Sequence, residues 1–114
     1  MDAFQLEQLE KERAESGEAY LEFFRIPQMS LGVYKLEAGA LDAQEPHTED
    51  EIYYVASGRG MITAGDEDRP VQPGNIVFVG ANVNHRFHSI TEDLLLLVFF
   101  APAEGTTQSQ HNTS

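Results

Sequence analysis

Between Gly39 and Gly58 the chain reads GALDAQEPHTEDEIYYVASG, and within it Glu45, His47, Glu49 and Glu51 alternate directly ahead of an apolar run of period two. On a strand, side chains of one parity share a face about 7 Å apart, near enough for two of them to hold one ion. Carboxylates and imidazoles aimed at a core need partners, because desolvating them unpaired is very costly. Two arrangements meet that constraint: an interior cluster gathered on a metal ion, or a wet acidic turn between two strands. The residues of this stretch alone leave both open.

A second stretch, Gly74 to Ser89, reads GNIVFVGANVNHRFHS: a short apolar strand, a Gly/Asn turn, and a further strand opened by His85. Together the two stretches resemble the paired motifs of the cupin superfamily. The first motif, G-x5-H-x-H-x3-E-x6-G, is matched in spacing by Gly39, Glu45, His47, Glu51 and Gly58, with Glu45 standing for the first histidine. The second, G-x5-P-x-G-x2-H-x3-N, is matched by Gly74 and His85, with Gly80, Asn82 and Ser89 at the proline, second glycine and asparagine positions.

That resemblance, spanning residues 30–100 or so, implies an all-β fold: a cupin double-stranded β-helix, or jelly-roll barrel, here preceded by a short N-terminal helix. It implies His47, Glu51 and His85 as metal ligands, and Glu45 as a fourth if that side chain points inward. Pro46 bears on the fourth, since proline cannot donate to a ladder and often marks a bulge, which would turn Glu45 away and bring Gln44 toward the pocket. Two histidines and one carboxylate leave coordination positions open for water, oxygen or substrate. The ion expected is a divalent transition metal, iron, manganese, zinc or nickel: carboxylate oxygens favour the first two, whereas intrinsic affinity favours the last two.

The remaining chain divides into a helical segment (1–19), the barrel (20–102) and a polar tail (103–114) expected to be disordered. Residues 3–16 put Phe4, Leu6 and Leu9 on one helical face, and Gly17 ends the helix. From Tyr20 the period falls to two: YLEFFRIP and SLGVYKLEAG read as strands about a Pro27 turn, with Tyr34 facing the interior. EIYYVAS and GRGMITAG read as two strands joined at Gly58 and Gly60, then a hairpin at Gly65-Asp66, a turn from Pro70 to Gly74, and a strand from Asn75 to Val79. Parity places Glu51, Tyr53 and Val55 inside and Ile52 and Tyr54 outside; it also places His85, Phe87 and Ser89 on one face and His88 on the other. Leu94 to Phe100 is apolar at every position, as in a strand covered on both sides, which points to a homodimer.

Composition bounds the function. One domain of 114 residues without cysteine excludes disulfide and thiolate chemistry. With no apolar run long enough to span a bilayer and a charged N-terminus, a soluble cytoplasmic protein is expected. A net charge of −12 repels phosphate backbones and anionic lipids, which argues against nucleic-acid and membrane partners. No phosphate loop or nucleophile elbow is present. What remains is a metal-binding barrel acting on, or merely binding, an unidentified small molecule, with Tyr34 and Tyr53 as candidate acid/base residues if it is an enzyme. The alternative is a non-catalytic small-molecule-binding or structural cupin.

Overall fold

The structure, a computed structural model, describes residues 1–42 and 46–105, so Gln44, Glu45 and the tail from position 106 onward lie outside the described residues. A helix, α1 (Leu6–Ser16), precedes six strands: β1 (Tyr20–Ile26), β2 (Met29–Leu36), β3 (Asp50–Ala64), β4 (Glu67–Val71), β5 (Ile76–Val79) and β6 (His85–Ala101). The strands pair antiparallel in the order β1-β2-β6-β3-β4, and β5 lies beside the first part of β3, on the edge that β4 takes further along.

The helix stops where its sequence says it should. Gly17, at φ 78, adopts the left-handed conformation and returns its N–H to the Ala14 carbonyl. Of the three residues expected on one helical face, Leu9 is buried; Phe4 precedes the helix and stacks edge-on against Phe23 at 4.9 Å. The helix packs on β1 and β2.

β3 and β6 carry the architecture. The expected break at Gly58 and Gly60 is not a break: β3 runs unbroken from Asp50 to Ala64, and β6 runs unbroken from His85 to Ala101. The pairing of these two strands slips three times between Val55 and Met61, and each slip bends the pair so that it can wrap around its own core. Gly58 sits in that bent region at φ 96, where a Cβ would run into the Asp93 carbonyl of β6, so only glycine fits. Ser89 faces the same bend on β6 with φ 49, and this flips the alternation: His85 and Phe87 are buried as expected, but Ser89 is exposed and Ile90 takes the inward place. Pro70 lies on β4 rather than in a turn, on an edge strand, where proline is tolerated.

The inward parity of β3 holds: Glu51, Tyr53 and Val55 are buried and Ile52 and Tyr54 exposed. Tyr53, Val55, Phe87, Leu94 and Leu96 are wholly enclosed, each contributing about 1.5–3 kcal/mol of burial. On β6 the expected two-sided covering is uneven. Leu94, Leu96, Val98 and Phe100 are buried, whereas Leu95, Leu97 and Phe99 are only partly so.

Candidate metal centre

Three of the four residues that the motif spacing singled out come together. Donor atoms of His47, Glu51 and His85 all lie within 4.8 Å of one another. Glu51 is the second residue of β3 and His85 opens β6, so the paired long strands fix both; His47 stands on the irregular segment ahead of β3. That segment is tied down by the turn before β6, where the Asn82 N–H donates to the His47 carbonyl at 2.7 Å. Asn82 has φ 65, a left-handed conformation that asparagine tolerates better than most residues, so it serves where the motif has glycine. Glu49 is buried but outside the trio, accepting a hydrogen bond from Thr48 Oγ1. Glu45, the remaining residue of the four, is among those outside the described residues.

The Glu51 carboxylate is 1 % exposed, and neither oxygen has a hydrogen-bond partner among the described residues. Oε1 lies 2.7 Å from His85 Nε2, a close ion pair when that nitrogen carries a proton. The tautomer of neutral His85 follows from its neighbours. Nδ1 donates to the Val83 carbonyl at 2.9 Å, leaving the Nε2 lone pair to accept from Tyr53 Oη at 3.0 Å. Burial, the largest single influence, draws the His85 pKa down; hydrogen bonding to the Glu51 carboxylate, then to the Val83 carbonyl, and the charges of Glu51 and Asp42 together outweigh it, and the net shift is upward.

The two candidate tyrosines separate. Tyr53 touches the cluster through His85, whereas the half-buried Tyr34 donates its hydroxyl to Asp42 Oδ1 at 2.9 Å. Asp42 in turn accepts the Phe87 N–H through Oδ2, so it braces β6 two residues beyond His85. Burial, and then the Asp42 charge, push the Tyr34 pKa up, so the hydroxyl holds its proton in the bond to Asp42. His88 faces away from the trio, as expected, and pairs with Asp68 at 2.8 Å.

Two residues near the trio escaped the sequence reading. Glu104, beyond the last strand, approaches His47 Nδ1 to 3.4 Å, and burial raises its pKa. Tyr20 Oη is buried without a partner among the described residues; its ring packs 6.5 Å from Phe100, whose own ring lies 4.9 Å from His47. A Cβ on Gly32 would collide with the Tyr20 ring, so that glycine makes the space Tyr20 fills. The one trace of this in the sequence is Gly32 inside an otherwise apolar strand, a mark of close approach.

Comparison with known proteins identifies the family and the fold. A family model described as a cupin domain matches residues 32–100. An uncharacterized protein of Streptomyces coelicolor is 52% identical over 104 residues, covering 91% of this chain and 99% of its own. Among solved structures, TT1209 from Thermus thermophilus superposes with a TM-score of 0.73 at 25% identity, over 90% of this chain and 99% of that one. KdgF from a Halomonas species superposes with a TM-score of 0.66 at 23% identity, over 73% and 76%, and shows likeness of fold alone. The family-model match across the barrel strands, the close Streptomyces relative and the all-β fold lead to one conclusion: this chain belongs to the cupin family.

Proposed function

We propose that this cupin holds one divalent transition metal ion through His47, Glu51 and His85 and binds a small molecule beside it. The observation that carries the reading is the Glu51 carboxylate, enclosed with neither oxygen hydrogen-bonded among the described residues and 2.7 Å from His85 Nε2, where the lone pair of the neutral imidazole opposes it unless a cation lies between them. Leaving a buried charge in that state costs several kcal/mol, roughly, and a shared cation removes the cost. The donor set fits an ion with open positions; when bound, such an ion supplies Lewis acidity toward an oxygen-bearing ligand. The chain's own contributions are distinct. Val83 fixes the His85 tautomer, the Tyr53 hydroxyl is the proton-bearing group next to the centre, and Tyr20 Oη is a donor awaiting an acceptor on the ligand.

Thermal unfolding from pH 5 to 8, with added Mn²⁺ or Zn²⁺ and after chelation, tests this. Without metal, the raised His85 pKa gives stability that is fully present below the unfolded value of about 6.5 and is lost as pH rises through the folded value. Metal demands neutral imidazoles, so its increment is largest above about pH 6.5 and fades on acidification. The two curves therefore diverge toward pH 8 and meet near pH 5. Curves that coincide throughout would leave the trio as a metal-free ion pair in a structural or ligand-binding barrel.

The proposal includes a homodimer. Met29, Ile52, Tyr54, Ile76, Phe78 and Phe99 line one apolar groove on the outer sheet face, with Ile76 73% and Phe78 64% exposed. Continuous apolar exposure of this kind marks an interface. Light scattering is expected to give twice the chain mass of 12.7 kDa, and Phe78→Glu to return it to the single-chain value. A wild-type mass of one chain at micromolar concentration would reject the dimer.

A further inference from the structure

The structure assigns Glu104 as the positioning residue for His47: its carboxylate faces Nδ1 and favours the proton on that nitrogen, so that Nε2 is the atom the imidazole offers to the metal, an inference that rests on the metal-site reading above. Glu51 and His85 sit on strands and need no outside help, but His47 stands on an irregular segment and must be oriented by its neighbours. Glu104 Oε2 lies 3.4 Å from Nδ1, and the Phe100 ring packs edge-on against the imidazole at 4.9 Å. Glu104 is not one of the described donors that lie within 4.8 Å of one another, so its part is played through His47.

The backbone that carries Glu104 is held on both sides. Its N–H donates to the buried Ser30 Oγ at 2.9 Å, its carbonyl accepts from Arg25 Nη2 at 2.7 Å, and the wholly buried Ala103 donates to the Pro27 carbonyl. A short strap after β6 is thus fastened to the β1–β2 hairpin, and its first acidic side chain is delivered to the one site residue that no strand positions. An acceptor on the nitrogen remote from the ion fixes a ligating histidine's tautomer and raises its basicity, and losing such a partner weakens metal binding by about 10–100-fold.

The test has two readouts. Long-range ¹H–¹⁵N spectra of the metal-free protein at pH 8 report the His47 tautomer, expected as Nδ1–H in the wild type and displaced toward Nε2–H in Glu104→Ala. Competition of Zn²⁺ against a chromophoric chelator is expected to show affinity falling about 10–100-fold in Glu104→Ala. Glu104→Gln keeps an acceptor oxygen and is expected to retain the Nδ1–H tautomer and most of the affinity. An unchanged tautomer in Glu104→Ala overturns the inference, as does a changed tautomer with zinc affinity unaltered. A wild type that binds no zinc defeats the metal reading instead, and the tautomer spectra then decide the Glu104 contact by themselves.

Discussion

Glu51→Gln is expected to raise the melting temperature of the metal-free protein at alkaline pH while removing metal binding altogether. The two effects have one cause. Above the His85 pKa the imidazole is neutral, and Glu51 remains a buried carboxylate whose oxygens lack hydrogen bonds among the described residues. Exchanging it for an amide of the same shape removes the cost of the unpaired charge and gives a group that can donate to its surroundings, for a gain of about 1–2 kcal/mol. For a domain of this size each kcal/mol is about 4–8 °C. An amide oxygen is a poor substitute for a carboxylate on a divalent ion, so metal-dependent stabilisation should vanish in the same variant. A residue whose loss strengthens the empty fold is there for a ligand. A variant less stable than wild type at pH 8.5 would mean that Glu51 is instead a structural partner of His85.

Gly58→Ala is expected to be the most damaging single-methyl change in the barrel. Two penalties coincide: alanine at φ 96 is strained, and its Cβ would overlap the Asp93 carbonyl across the β3–β6 bend. Left-handed strain of this sort costs about 1–3 kcal/mol, and the backbone clash adds to it, so a loss of about 3 kcal/mol or more is expected. Gly39, the other glycine that bounds the first motif, provides the contrast. Its φ of 79 is also left-handed, but a Cβ there meets nothing within 4 Å. Gly39→Ala should therefore cost only about 1 kcal/mol. Chemical denaturation of both variants separates the explanations: equal losses would show that conformation alone, and not the approach of β6, makes Gly58 necessary.

The contrast between these glycines shows what could be read in the sequence. Parity placed Glu51, Tyr53 and Val55 inward because β3 is regular there, and motif spacing brought His47, Glu51 and His85 together from positions far apart in the chain. Parity failed at Ser89, because a left-handed residue inside a strand shifts every later side chain by one face and leaves no mark in hydrophobicity. The same bend made Gly58 and Gly60 look like strand ends, and the polar Thr91, Glu92 and Asp93 hid the continuity of β6. Tyr34 reads as an interior acid/base group in the sequence, since local pattern cannot show that Asp42 engages its hydroxyl. Glu104 was invisible for a similar reason: its role depends on a strap folding back to the β1–β2 hairpin, and no periodicity records such a contact.

Elemental analysis of protein purified without chelator decides whether His47, Glu51 and His85 form a metal centre. Close to one transition-metal ion per wild-type chain is expected, and almost none in His85→Ala or His47→Ala, since each removes one of three donors that lie within 4.8 Å of one another. A wild-type chain that stays empty after incubation with Mn²⁺, Fe²⁺, Ni²⁺ and Zn²⁺, or a histidine variant that keeps its full complement, would contradict it.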